Sequence, residues 1–94
     1  MTTKTKVERA IAALEAAGVD ITSTYASWRD VGFAFSKEFG EAGSEYFHRV
    51  SRMYPKYDHK ACEEQYQRCL KSKGQGINIG SFFHDPSAVM LRAD

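Results

Sequence analysis

The sequence predicts an all-α domain: a small single-domain bundle of four to five helices, with one short extended segment near Ile77 to Ile79. Two observations carry that prediction. Within residues 27–54, SWRDVGFAFSKEFGEAGSEYFHRVSRMY, a helical spacing of about 100° per residue puts Trp28, Val31, Phe35 and Phe39 on one stripe with Gly32. Phe47, Val50 and Tyr54 form a second stripe beyond a glycine-bearing corner, and two such stripes must cover each other. Further stripes stand on either side, Val7, Ile11 and Leu14 before, and Cys62, Tyr66 and Cys69 after.

Ninety-four residues suffice for one core, so residues 1–94 are expected to form a single helical domain. The ending at Asp94 suggests a domain excised from a longer chain. A hydrophobic fraction of 43% with 27% charged residues is ordinary for a globular protein. No apolar run approaches the roughly 18 residues of a membrane span. The start, Met1 to Lys6, is polar and basic and leads to no apolar signal segment. The expectation is a cytoplasmic protein with no membrane partner.

The first helix is predicted over about Lys4 to Ala17, stopped by Gly18 acting as a left-handed cap. The stretch VDITSTYAS mixes Val19 and Ile21 with turn formers, so it should cross the core as a loop in which Tyr25 packs. Ser27 is the predicted N-cap of the second helix, with Asp30 in its first turn and Gly40 at its end. Glycine inside a helix costs about 1 kcal/mol relative to alanine, so Gly32 is read as permitting a close helix crossing. The third helix spans about Gly43 to Met53, points Arg49 and Arg52 outward, and is barred from continuing by Pro55. Asp58 caps a fourth helix that runs to about Leu70 or Ser72. KSKGQG follows as a basic loop without the order of a phosphate-binding loop. INI is then extended, Ser81 caps a turn holding Phe82 and Phe83, and Asp85 caps a short helix of Pro86 to Arg92.

The chemistry-bearing residues point away from catalysis. Cys62 and Cys69 lie seven residues apart in one helix, about 10 Å along its axis, which is too far for a disulfide. They are read as buried thiols on the core stripe. His59 beside Cys62 finds no second closely spaced ligand pair, so no metal and no cofactor are assigned. His48 and Ser51 are one turn apart with Asp58 nearby, but neither an oxyanion-hole turn nor a nucleophile elbow accompanies them. Ser51 is expected to bond a carbonyl of its own helix.

Charge is unevenly spread. The net value is +1, yet residues 49–73 carry seven Lys or Arg against three acids, while the flanking segments are net acidic. Arg49, Arg52, Lys56, Lys60, Arg68, Lys71 and Lys73 come from two successive helices and their connectors, and form the candidate nucleic-acid-binding set. Glu64 dilutes their field. Trp28, on the apolar stripe, is assigned to the core and not to base stacking.

The order of SWRDVGFAFS, an acidic glycine-containing corner, YFHRVSRMYPKYD, a helix and GINIGSFF resembles the primase C-terminal domain of the second type, over about residues 7–83. FHRVS and INIGSFF are most similar to versions in Bacteroides-type proteins that also carry virulence-associated protein E-like or primase-like regions. The family often has a second tryptophan in the fourth helix, where this chain has Tyr66 and Cys69. The resemblance implies a noncatalytic accessory module of primase and helicase polypeptides encoded by mobile genetic elements. Its implied partners are single-stranded DNA or a primer-template, and the other domains of the same polypeptide. The alternative is a protein-interaction adaptor, which an exposed apolar strip of Phe33 with the C-terminal aromatic turn would favour.

Overall fold

Five α-helices and one 3-10 turn make up the computed structural model, which describes residues 2–72, 77 and 79–84 and shows no β-strand among them. Helix α1 (Thr3–Ala17) starts where the Thr2 hydroxyl accepts the Thr5 N–H at 3.1 Å. It stops where Gly18 turns left-handed at φ 67°, as its sequence position predicts. Val7, Ala10, Ile11 and Leu14 are its buried stripe. In the connection that follows, Asp20 Oδ1 accepts the Thr22 N–H at 2.7 Å and the Thr22 hydroxyl at 2.6 Å. That side-chain turn lets Ile21 enter the core without a regular element, as expected of the loop.

Helix α2 (Tyr25–Phe39) begins three residues earlier than predicted. The cap is Thr24, whose hydroxyl accepts the Ser27 N–H at 3.1 Å, and not Ser27. The two residues offer the same chemistry, and the earlier one gains a further turn of helix. A second correction follows from it. Tyr25, expected inside, is the first residue of α2 and stands 60% exposed.

Gly40, at φ 60° and ψ −137°, ends α2 and opens the 3-10 turn Gly40–Gly43. Helix α3 (Ser44–Ser51) is shorter than the predicted 43–53. After it the chain makes two consecutive turns, the Tyr54 N–H bonding Ser51 O and the Tyr57 N–H bonding Tyr54 O, each at 3.0 Å. The Asp58 carboxylate then accepts the Ala61 N–H at 2.8 Å and starts α4 (His59–Lys71), the predicted cap. Its buried stripe is Cys62, Gln65, Tyr66 and Cys69.

Helix α2 is the centre of the arrangement, packing on α3, α4 and α5 (Ile79–His84), while α1 covers α3. Gly32 makes this possible. A Cβ there would lie 2.8 Å from Cys69 Sγ and 3.2 Å from Phe47 Cε1, so glycine admits the close approach of α2 to α3 and α4. In α5 the structure departs from the predicted extended segment: Ile79 opens the helix, and Ser81 lies inside it instead of capping it. Helical spacing puts Ile79 and Phe82 on one face, and Phe82 is buried with its ring 5.0 Å from that of Phe35. That burial overrides the modest strand preference of isoleucine. Lys71 of the predicted basic loop belongs to α4, while Lys73 to Gly76, the predicted break at Asp85 and the helix of Pro86 to Arg92 lie outside the described residues.

Candidate nucleic-acid interface

The predicted basic residues divide by how they are held. Arg49 bridges α3 to α1: its Nη2 donates to Glu15 Oε1 at 2.6 Å and its Nε to Oε2 at 3.3 Å. Its side chain is only 23% exposed, so it is less outward than predicted. The Arg49 hydrogen bond holds the Glu15 carboxyl below its usual range, and the same bond raises Arg49 above its own. Arg52, Lys56, Lys60, Arg68 and Lys71 are exposed. None of these five is in an ion pair among the described residues. Lys60 and Lys71 fall near one line of α4, about 16 Å apart along its axis, with exposed Glu64 between them. Arg68 donates to Gln65 Oε1 at 3.1 Å, which steadies its guanidinium against α4.

Of the predicted basic residues, Lys56 lines a cleft of about 290 Å³, bounded by the loop Thr22–Thr24, the start of α2, and the α3–α4 connection. Tyr25, Trp28, Tyr54 and Tyr57 supply its aromatic walls, and Ser51, Lys56, Asp58, Ala61 and Cys62 also line it. Trp28 is therefore not wholly a core residue, a correction to the sequence reading. Phe47 covers one face of the indole, with ring centroids 5.6 Å apart and planes 16° apart. The indole Nε1 donates to Ser51 Oγ at 3.0 Å, a partner in place of the predicted carbonyl of the serine's own helix. Tyr25 meets the indole edge-on at 6.2 Å, with Arg29 Cζ 5.9 Å from the Tyr25 ring centroid. The sequence reading put Trp28 and Tyr54 on buried stripes; α3 ends at Ser51, so Tyr54 falls in the following turn and lines the cleft with Tyr57.

His48 and Ser51 do not form a dyad. The His48 ring is buried, with Nδ1 2.7 Å from the Tyr57 hydroxyl and Nε2 3.0 Å from Glu63 Oε1, and it stacks on His59 at 4.5 Å. Burial pushes the Cys62 thiol up to about 11, so it is protonated at neutral pH. Among the described residues no group of three His, Cys, Asp or Glu side chains is placed to hold a metal ion.

Glu63 links the elements of this corner. Its carboxylate accepts from Gln67 at 2.8 Å and from the Ser44 hydroxyl at 2.7 Å, and it pairs with His48. Those bonds, Gln67 first, lower its pKa from 4.5 to about 2. A carboxyl depressed in the folded state stabilises it above the ordinary value, and the contribution disappears as pH falls through the folded one. Between pH 5 and pH 2 the native chain should lose about 1 kcal/mol from this group, a figure discounted because the side chain is 38% exposed. Urea unfolding across that range checks this, since Glu63→Gln should remove that part of the pH dependence. Parallel profiles for the two proteins would refute it.

What the helices and the site define is a small all-α domain with an aromatic cleft between the Thr22–Thr24 loop and the α3–α4 connection. The sequence matches Primase C terminal 2 (PriCT-2) over residues 10–85, most of its length, and the chain belongs to that family of primase C-terminal domains. None of the curated proteins or solved structures compared with it matches. Among the described residues no helix is long and apolar enough to cross a membrane.

Proposed function

We propose that this chain is a noncatalytic accessory domain of a primase- or helicase-type replication protein. It acts in the cytoplasm beside the other domains of such a polypeptide and engages single-stranded DNA or a primer-template. The contact runs along the α3–α4 side. One observation supports this above others: in a primase C-terminal domain, Arg52, Lys56, Lys60, Arg68 and Lys71 all stand exposed and outside any ion pair among the described residues. Solvated cations of this kind attract phosphate without needing to break an existing pair. Arg49, already joined to Glu15, has the lesser share and mainly fixes α3 on α1. Lys73 extends the proposed set beyond the described residues.

The test is the affinity of the 94-residue chain for a labelled single-stranded oligonucleotide as salt is raised. Contact with three to five phosphates corresponds to a slope of about −2 to −3.5 in log affinity against log salt. Reversing Arg52, Lys60, Arg68 and Lys71 to Glu should weaken binding more than tenfold at about 50 mM salt, with the helical signal retained because all four side chains are exposed. Absence of salt-sensitive binding at low ionic strength would discard the proposal. The adaptor reading gains no support from Phe33, which is only partly exposed, and the Phe83 side chain lies outside the described residues.

A further inference from the structure

Trp28 and its neighbours line a cleft of defined size. We infer that it receives one unstacked nucleobase of a single strand, with Lys56 at its rim meeting an adjoining phosphate; this rests on the nucleic-acid reading above. Size comes first. About 290 Å³ is at the lower limit of the roughly 300–1,000 Å³ usual for small-ligand clefts, enough for one ring system and its attachment but not for a helix or an extended peptide.

Chemistry selects the ring. The indole N–H is already donated to Ser51, so Trp28 offers the cleft carbon surface, and Phe47 behind it prevents the ring from turning away. Tyr25 stands 60% exposed at the mouth, so its ring is open to a flat partner. The Tyr57 hydroxyl is engaged with His48, and one Asp58 oxygen is engaged with the Ala61 N–H. The Thr22, Thr24 and Ser51 hydroxyls are likewise hydrogen-bonded within the fold, and four of the lining residues, Tyr25, Trp28, Tyr54 and Tyr57, are aromatic. The cleft recognises a π face, which every base has, and therefore binds without strong sequence preference. Arg29 beside Tyr25 is paired with Asp30 at 3.3 Å, so Lys56 is the lining cation suited to a phosphate that flanks a splayed base.

Trp28 is the only tryptophan in the chain, so its emission reports on the cleft directly. The experiment titrates the 94-residue chain with a dodecamer of thymidylate, with an abasic strand of equal length, and with thymidine monophosphate, following indole fluorescence and the anisotropy of labelled strands. Expected is indole quenching by the base-bearing strand, with about tenfold tighter binding than the abasic strand, which binds through phosphate without quenching. Tyr25→Ala should erase most of that tenfold difference while leaving abasic binding and the far-ultraviolet circular dichroism unchanged. Equal affinity for both strands with no quenching would overturn the inference and leave the phosphate-binding proposal standing. Failure of both strands to bind would overturn the two together. Quenching by the monophosphate at the same concentration would overturn the assignment to a strand.

Discussion

Phe47→Ala is expected to cost about 3–5 kcal/mol, a large part of the roughly 5–15 kcal/mol that holds a domain of this size together. Phe47 is fully buried, with Trp28 stacked on it at 5.6 Å and Tyr66 at 5.5 Å, and it faces the bare Cα of Gly32. Removing the ring therefore opens a void where α2, α3 and α4 meet. Urea unfolding followed by circular dichroism should show a strongly lowered midpoint, or no cooperative transition at all. Phe47→Leu, which keeps much of the volume, should recover more than half of the loss. A Phe47→Ala protein within 1 kcal/mol of the parent would mean that the three helices do not converge on this ring.

The second large effect is expected at Gly43, and its sign runs against local preference. Gly43 has helical φ and ψ of −73° and −12°, so alanine would ordinarily be favoured there by about 1 kcal/mol. Its surroundings decide otherwise. A Cβ at this position would collide with the Tyr66 hydroxyl and come within 2.8 Å of the Phe35 carbonyl oxygen. The Tyr66 hydroxyl donates to Gly40 O, and its ring is buried, so it has nowhere to retreat without leaving that bond unmade. Gly43→Ala should destabilise by about 3 kcal/mol, combining overpacking with the disturbed hydrogen bond. Adding Tyr66→Phe should restore part of it, because the hydroxyl is one of the two obstacles. A double-mutant cycle in urea measures the coupling, expected above about 1 kcal/mol. Additive effects would show that the hydroxyl does not press on Gly43.

Local chemistry was the part of this fold that the sequence displayed. Gly18, Gly40 and Asp58 act within a turn of where they stand, so their capping roles could be read without knowing what packs nearby. Gly32 was legible for a related reason, since a glycine on an apolar stripe implies a close neighbour even when that neighbour is unknown. The ambiguity between Thr24 and Ser27 is of another kind: two adequate caps three residues apart, decided by an extra turn of helix. Arg49 pairs with Glu15 across 34 residues, a contact to which no spacing rule points. The same holds for the cleft. A helical wheel assigns Trp28 a side but not the extent of cover on that side, and the wall opposite is built by Tyr54 and Tyr57 from consecutive turns that have no period. The basic set was visible as composition, whereas the division into paired and unpaired cations depended on long-range partners.

Asp20 gives the aromatic cleft two unlike sides. Thr22 is tied to one Asp20 oxygen that accepts two bonds and the Thr24 hydroxyl caps α2, whereas the facing tyrosines are spliced into backbone turns continuous with α3 and with the cap of α4. Both sides are therefore anchored by hydrogen bonds, one chiefly through side chains and the other through backbone turns.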